Sequence, residues 1–188
     1  MTDINSWKLN RTSATHPLRI DTIHLKNGGK LGLSFCPGKK QFHGMTGAWV
    51  RDLDTDISAI NDWGGSVIIT LLEDHELIGL QVTEIKSVAN QYNIDWLHLP
   101  TPNDLVPDES FLQNWRDNCF KIHELLNDGK NVFIHCMGGI GRTSVLAAII
   151  LIERGYTAEE AIKIIKDTRE NSFCIPEQVD FVLSLVGL

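Results

Sequence analysis

Between Lys130 and Glu153 a short strand-like run, KNVFI, passes through HCMGGIGRT straight into the apolar helical segment RTSVLAAIILIE. A β-strand that enters a helix through a glycine-rich turn limits the possible folds, because the strand needs neighbours to pair with and the helix needs a sheet to cover. The rest of the chain repeats the theme. Asp54 to Trp63 has apolar residues at helical spacing, ends at Gly64-Gly65 and is followed by the β-branched run Ser66 to Leu72. Val82 to Tyr92 reads as a helix, Asn93 to Leu99 as a strand, and Asp108 to Asn127 as a long amphipathic helix. Three helices follow at about 142–154, 158–169 and 176–186, and Pro17 to Leu25 with Lys30 to Phe35 forms a hairpin across Asn27-Gly28-Gly29. The alternation predicts an α/β fold: a central, mostly parallel sheet of about five strands flanked by helices on both faces. Met1 to His16 reads as a poorly ordered or loosely packed tail, with a single domain over 17–188.

The 188 residues suffice for one full core without disulfide or metal staples. Seventeen basic against twenty-four acidic residues give a net charge of -7, which opposes binding to nucleic acid or to an anionic membrane, so any basic site must be local. The apolar run Val145 to Ile152 is too short to span a bilayer, and the first fifteen residues lack the apolar stretch of a secretory signal. Cys36, Cys119, Cys136 and Cys174 have no metal-ligand or CxxC spacing, and His24, His43, His75, His98 and His123 make no metal cluster. The expectation is a cytoplasmic protein with reduced thiols, no metal and no cofactor.

The chemistry is concentrated in Cys136 to Thr143. Glycine-rich backbone at a helix N-terminus points several N–H groups into one concavity, and the helix dipole adds positive potential there, so Met137, Gly138, Gly139, Ile140, Gly141 and Arg142 form a nest for a tetrahedral dianion. A cysteine beneath such a nest is held as a thiolate. Arg142 can fold back to offer its planar fork to two phosphate oxygens, and the Thr143 hydroxyl can donate to the sulfur. Absence of a GK[ST] sequence after the glycines excludes a Walker-type nucleotide loop. Lys39 and Lys40, after Cys36-Pro37-Gly38, are read as a solvated loop pair, with a place at the pocket mouth as the alternative. Trp63, Trp96 and Trp115 are read as core.

HCMGGIGRT resembles the HCxxGxGR[ST] signature of the cysteine-dependent protein tyrosine phosphatase superfamily, and more narrowly of its dual-specificity branch, over roughly Leu31 to Leu188. LGLSFCPGKK and HLPTPNDLVPD are similar to segments of the kinase-associated phosphatases of the cyclin-dependent kinase inhibitor type. The resemblance implies attack by Cys136 on phosphorus, a phosphocysteine intermediate, and an aspartic acid on a separate loop that protonates the leaving oxygen. In those relatives the acid sits five residues before the Asp of the Pro-Asp pair, which here is Asn103. Asp104, one residue on, is therefore taken as the acid, with Asp108 as runner-up and otherwise a helix cap. Gln178 matches the family's glutamine beside the hydrolytic water, with a helix-surface role as the alternative, and His135 fixes the loop by hydrogen bonding. The implied partner is a phosphorylated protein carrying phosphotyrosine, with phosphoserine or phosphothreonine as further targets. Alternatives are a phosphatase for phosphoinositides or sugar phosphates, or a phosphate-reading module with weak turnover.

Overall fold

The computed structural model describes residues 11–26, 28–44, 47–102 and 106–185. Five strands form the main sheet: β1 (Asp21–His24), β2 (Lys30–Ser34), β5 (Gly65–Thr70), β6 (Asp95–His98) and β7 (Asn131–His135), in the order β1-β2-β7-β5-β6. Only β1 is antiparallel to its neighbour. Strand β7 is central, with His135 in register with Ser34 on one side and Thr70 on the other. The residues after His135 therefore leave the middle of the sheet at its C-terminal edge, where ligands of open parallel sheets bind.

Period-two alternation distributes the strand residues between two apolar layers. Val67, Ile69, Val132 and Ile134 face one layer with α4 (Glu109–Asn127), α5 (Arg142–Glu153), α6 (Ala158–Thr168) and α7 (Pro176–Ser184). Ile68 and Phe133 face the other, with Ile57 and Ile60 of α1 (Leu53–Asp62) and Ile85 and Ala89 of α3 (Ile85–Gln91). Full burial of a side chain such as Phe133 stabilises the fold by about 1.5–3 kcal/mol. Helix α5 is buried from Arg142 to Leu151, so the segment leaving the glycine-rich loop is covered on every side and its first turn is rigidly placed.

Two of the helices start where an aspartate satisfies their first N–H groups. Asp52 caps α1 by accepting from Thr55 N at 2.8 Å, and Asp108 caps α4 by accepting from Phe111 N at 2.8 Å. The sequence reading missed two elements. One is a separate hairpin, β3 (Lys40–Gly44) with β4 (Gly47–Val50); the other is the six-residue helix α2 (Asp74–Gly79). Both are too short to show a hydrophobic period. Of the expected tail, residues 1–10 lie outside the described residues. Residues 11–16 pack against the hairpin: Arg11 bridges Trp49, Ser13 exchanges hydrogen bonds with Asp52, and Arg51 donates to His16 O at 2.7 Å. Among the described residues no helix is long and apolar enough to cross a membrane.

Candidate active site

The loop from Cys136 to Gly141 is held open by donors that grip its carbonyl groups from outside. Met137 O accepts from Cys36 N and from Lys39 Nζ, each at 3.3 Å. Arg169 donates from Nη2 to Gly138 O at 3.0 Å and from Nε to Gly139 O at 2.5 Å. Ile140 O accepts from Phe173 N at 2.7 Å and from Ser144 Oγ at 2.8 Å. In a trans peptide the N–H points away from the preceding carbonyl, so gripping four successive carbonyls outside turns the following N–H groups inward. Gly139 N reaches Cys136 Sγ at 3.2 Å, as this geometry requires. Gly139 has φ +72°, and a Cβ there would lie 2.1 Å from Ser34 O, so the loop closes onto β2 only with glycine.

Cys136 is buried at the base of this loop. Burial works against a charged sulfur, but the Arg142 charge, the hydroxyl and N–H of Thr143 and the N–H of Gly139 outweigh it and bring the thiol below its ordinary pKa. Thr143 Oγ1 is buried with no other partner of ordinary hydrogen-bond geometry, so its proton is available to the sulfur. His135 Nε2 lies 2.8 Å from Thr70 Oγ1, which accepts from Trp96 Nε1 at 2.8 Å. That leaves the single Thr70 proton for Nε2 and puts the ring proton on Nδ1, facing Cys136 O at 3.3 Å. Burial pushes the His135 pKa down to about 3, so the ring stays neutral and orients the loop.

Arg142 is fixed by a residue that the sequence reading did not single out. Glu76, on α2, accepts from Arg142 Nη1 at 2.7 Å and Nη2 at 2.8 Å, and Arg142 Nη1 also donates to Leu71 O and Thr101 O. Burial opposes the Glu76 carboxylate, yet the Arg142 fork and the Glu73 N–H hold its pKa below the usual carboxylate range. With the end of the guanidinium committed to Glu76, its side edge, Nε–H and the remaining Nη2–H, is left for a bidentate anion.

The structure thus gathers His135, Cys136, the loop through Gly141, Arg142 and Thr143 at one point. Gln178 joins them, buried rather than on a helix surface: a Cβ on Gly141 would meet its Nε2 at 2.9 Å, and that Nε2 has no hydrogen-bond partner. Asp104 lies outside the described residues. Asp108 is exposed and engaged as the α4 cap. Lys39 departs from the solvated-pair reading. It is 5% exposed, because the hairpin folds it under the loop, against the rings of Phe35 and Trp49. Glu76 and Arg169 carry no sequence signal, and Lys39 stands out only as one of a loop pair; each is a charged residue with a partner distant in the chain.

A parallel α/β sheet carrying a cysteine inside an arginine-closed anion loop defines the class of cysteine-based phosphatase folds. The family described as "Dual specificity phosphatase, catalytic domain" matches residues 75–186, more than half of the chain, and the chain belongs to that family. It is 26% identical over 144 residues to cyclin-dependent kinase inhibitor 3 of Mus musculus, covering 74% of this chain and 63% of the relative. It is 27% identical over 120 residues to protein tyrosine phosphatase type IVA 3 of Mus musculus, covering 64% of each. The chain thus spans less than two thirds of the length of these relatives. Among solved structures, kinase associated phosphatase (KAP), with its catalytic cysteine replaced by serine, superposes with a TM-score of 0.77 at 22% identity, covering 90% of this chain and 97% of that one. PTPMT1 in complex with PI(5)P gives a TM-score of 0.60 at 21% identity, covering 82% and 88%. At these identities the likeness is one of fold.

Proposed function

We propose that this protein is a phosphatase of one catalytic domain, within residues 17–188, that hydrolyses phosphomonoesters on protein tyrosine, and also on serine or threonine, in the cytoplasm. The observation that carries this reading is the Cys136 sulfur, under an inward-facing N–H array, next to an Arg142 fork held by Glu76. The thiolate attacks phosphorus as the bond to the leaving oxygen breaks, and the Asp104 carboxyl gives that oxygen its proton. Water then attacks the phosphocysteine and loses a proton to Asp104; the S–P bond breaks and the thiolate and orthophosphate are released. The loop N–H groups and Arg142 bind the equatorial oxygens in both steps, the Thr143 hydroxyl steadies the sulfur as it leaves, and Gln178 orients the water.

Family membership, the name of the protein tyrosine phosphatase relative and a net charge that opposes nucleic acid and anionic membrane all favour a protein substrate. The loop interior Met137 to Gly141 has no cationic side chain, which disfavours highly charged inositol phosphates. The test is turnover of phosphotyrosyl and phosphothreonyl peptides and inositol phosphates by wild type and Cys136→Ser. Wild type is expected to prefer phosphotyrosyl peptide, with Cys136→Ser reduced to below about 1% because an alcohol is a far weaker nucleophile at neutral pH, while phosphate still binds. Residual turnover above a few per cent, or inositol phosphates as the preferred substrates, overturns the reading.

A further inference from the structure

The chain buries a cation that the scheme above does not use. Lys39 Nζ lies 5.2 Å from the ring centroids of both Phe35 and Trp49, and donates at 3.3 Å to Gln41 Oε1 and to Met137 O. Neither hydrogen bond goes to a carboxylate, although a buried ammonium ordinarily needs a compensating negative charge. The charged and titratable groups that face it are Cys36 and Cys136, which favour its charge, and Arg51 and Arg169, which oppose it; burial, the largest influence, holds its pKa below the usual lysine value.

Of the two sulfurs only one can supply the missing charge. Cys36 is fully buried, and desolvation pushes its thiol well above the ordinary range, so it stays neutral. Cys136 is lowered, so of the two sulfurs it is the one able to carry the negative charge that favours the Lys39 ammonium through space. Such coupling is reciprocal: a thiolate that keeps the lysine protonated is itself kept deprotonated by the lysine. Lys39 also grips the carbonyl of the residue after the nucleophile, and its own placement is over-determined. Arg51 N donates to Lys39 O at 3.2 Å, and Arg51 packs 4.8 Å from the Phe35 centroid while paired with buried Asp56.

We propose that Lys39 is a positioning residue for the Cys136 loop: by holding the Met137 carbonyl outside, it turns the Gly138 N–H toward the anion, and its buried charge stabilises the Cys136 thiolate. The assignment rests on the phosphatase reading for the identity of the anion, but its test needs no turnover. The pH dependence of iodoacetamide alkylation of Cys136, read by peptide mass spectrometry, reports the thiolate directly; protection against alkylation by inorganic phosphate reports the cradle.

Lys39→Met should move the alkylation midpoint up by roughly 0.5–1 pH unit and weaken phosphate protection by about 5- to 20-fold, the loss of one nearby cation and one positioned donor. Lys39→Arg, which keeps charge and donors, should stay within about 0.3 unit of wild type. An unchanged midpoint and unchanged protection in Lys39→Met overturns the proposal, as does an equal shift in the Met and Arg variants, which would mark packing alone. If Lys39→Met does not fold, Lys39→Gln, an uncharged donor, is read instead: the same rise in midpoint supports the proposal and no rise overturns it. A wild type that turns over none of the phosphopeptides yet shows the Lys39-dependent midpoint removes the phosphatase reading and supports the Lys39 assignment.

Discussion

Two cysteines near the loop take opposite fates because of what lies within hydrogen-bond reach. Cys36 and Cys136 are both buried, which by itself favours the neutral thiol. The Cys36 thiol is left to the carbonyl of Pro37 at 3.4 Å, whereas Cys136 meets the Gly139 N–H, Thr143 and the Arg142 charge. At pH 7 iodoacetamide should therefore modify Cys136 at least about 100-fold faster than Cys36, and faster than Cys119, whose thiol is also raised by burial. Peptide mapping checks the order, and Cys36 or Cys119 reacting first would refute it. Arg142 depends in the same way on Glu76. Glu76→Gln leaves a buried guanidinium without its counter-charge and should cost about 3–5 kcal/mol in urea unfolding. It should also weaken phosphate inhibition, because the fork is no longer held in one orientation. An unchanged inhibition constant would show that Leu71 O and Thr101 O suffice to aim Arg142.

Among the elements, the shortest ones do most to complete the site. Helix α2 has six residues and little intrinsic stability, yet it presents Glu76, and the β3–β4 hairpin brings Lys39 and Gln41 under the loop. The long helix α4 sets the other boundary, where the acid must be assigned. Asp108 accepts the Phe111 N–H, so Asp108→Ala should lower stability by about 1 kcal/mol in urea unfolding and leave the pH profile of kcat/KM intact. Asp104→Asn should leave stability near wild type but slow phosphopeptide turnover by roughly 100-fold, with nitrophenyl phosphate affected less because its leaving group needs little protonation. Loss of the basic limb should appear in Asp104→Asn alone. If the two variants exchange phenotypes, the acid is Asp108.

For the molecule as a whole, the site imposes a pH dependence on folding. His135 is neutral in the native state down to about 3, but free histidine takes up a proton near 6.5. Below pH 6.5 the unfolded chain binds a proton that the folded chain refuses, so this contribution is complete above pH 6.5 and is lost by about 1.4 kcal/mol per unit as pH falls toward 3. The depressed carboxylate of Glu76 acts with the same sign, but only below the ordinary carboxylate pKa near 4.5. Between pH 6.5 and 5 the histidine effect is therefore separable from that of Glu76, and the lowered Cys136 thiol, present in wild type and variant alike, cancels in the comparison. His135→Asn, whose amide can donate where Nδ1 does, should show a shallower loss of unfolding free energy across that window than wild type. Parallel slopes would mean that His135 does not carry the acid sensitivity.

The strand, glycine-rich loop and helix around Cys136 are legible in the sequence because they are local: the continuous apolar run VFI, the glycines that follow it, one of them at positive φ, and the apolar run of α5 are each written within a few residues. The same holds for the five-stranded layering and the Asp108 cap. Cys136 and Arg142 were identifiable because their spacing of six residues alone brings them to one nest. What makes the nest rigid was decided only by the tertiary structure. Glu76 reaches Arg142 across 66 residues, Lys39 reaches Met137 across 98, and Arg169 reaches Gly139 across 30 and Asp21 across 148. In a sequence a charged residue looks solvated, since burial without a partner is prohibitively costly. Whether it has a partner depends on the folded arrangement of distant segments, and Lys39, read as half of a solvated pair, lies instead beneath the Cys136 loop because two aromatic rings, a main-chain carbonyl and the Gln41 amide oxygen meet there.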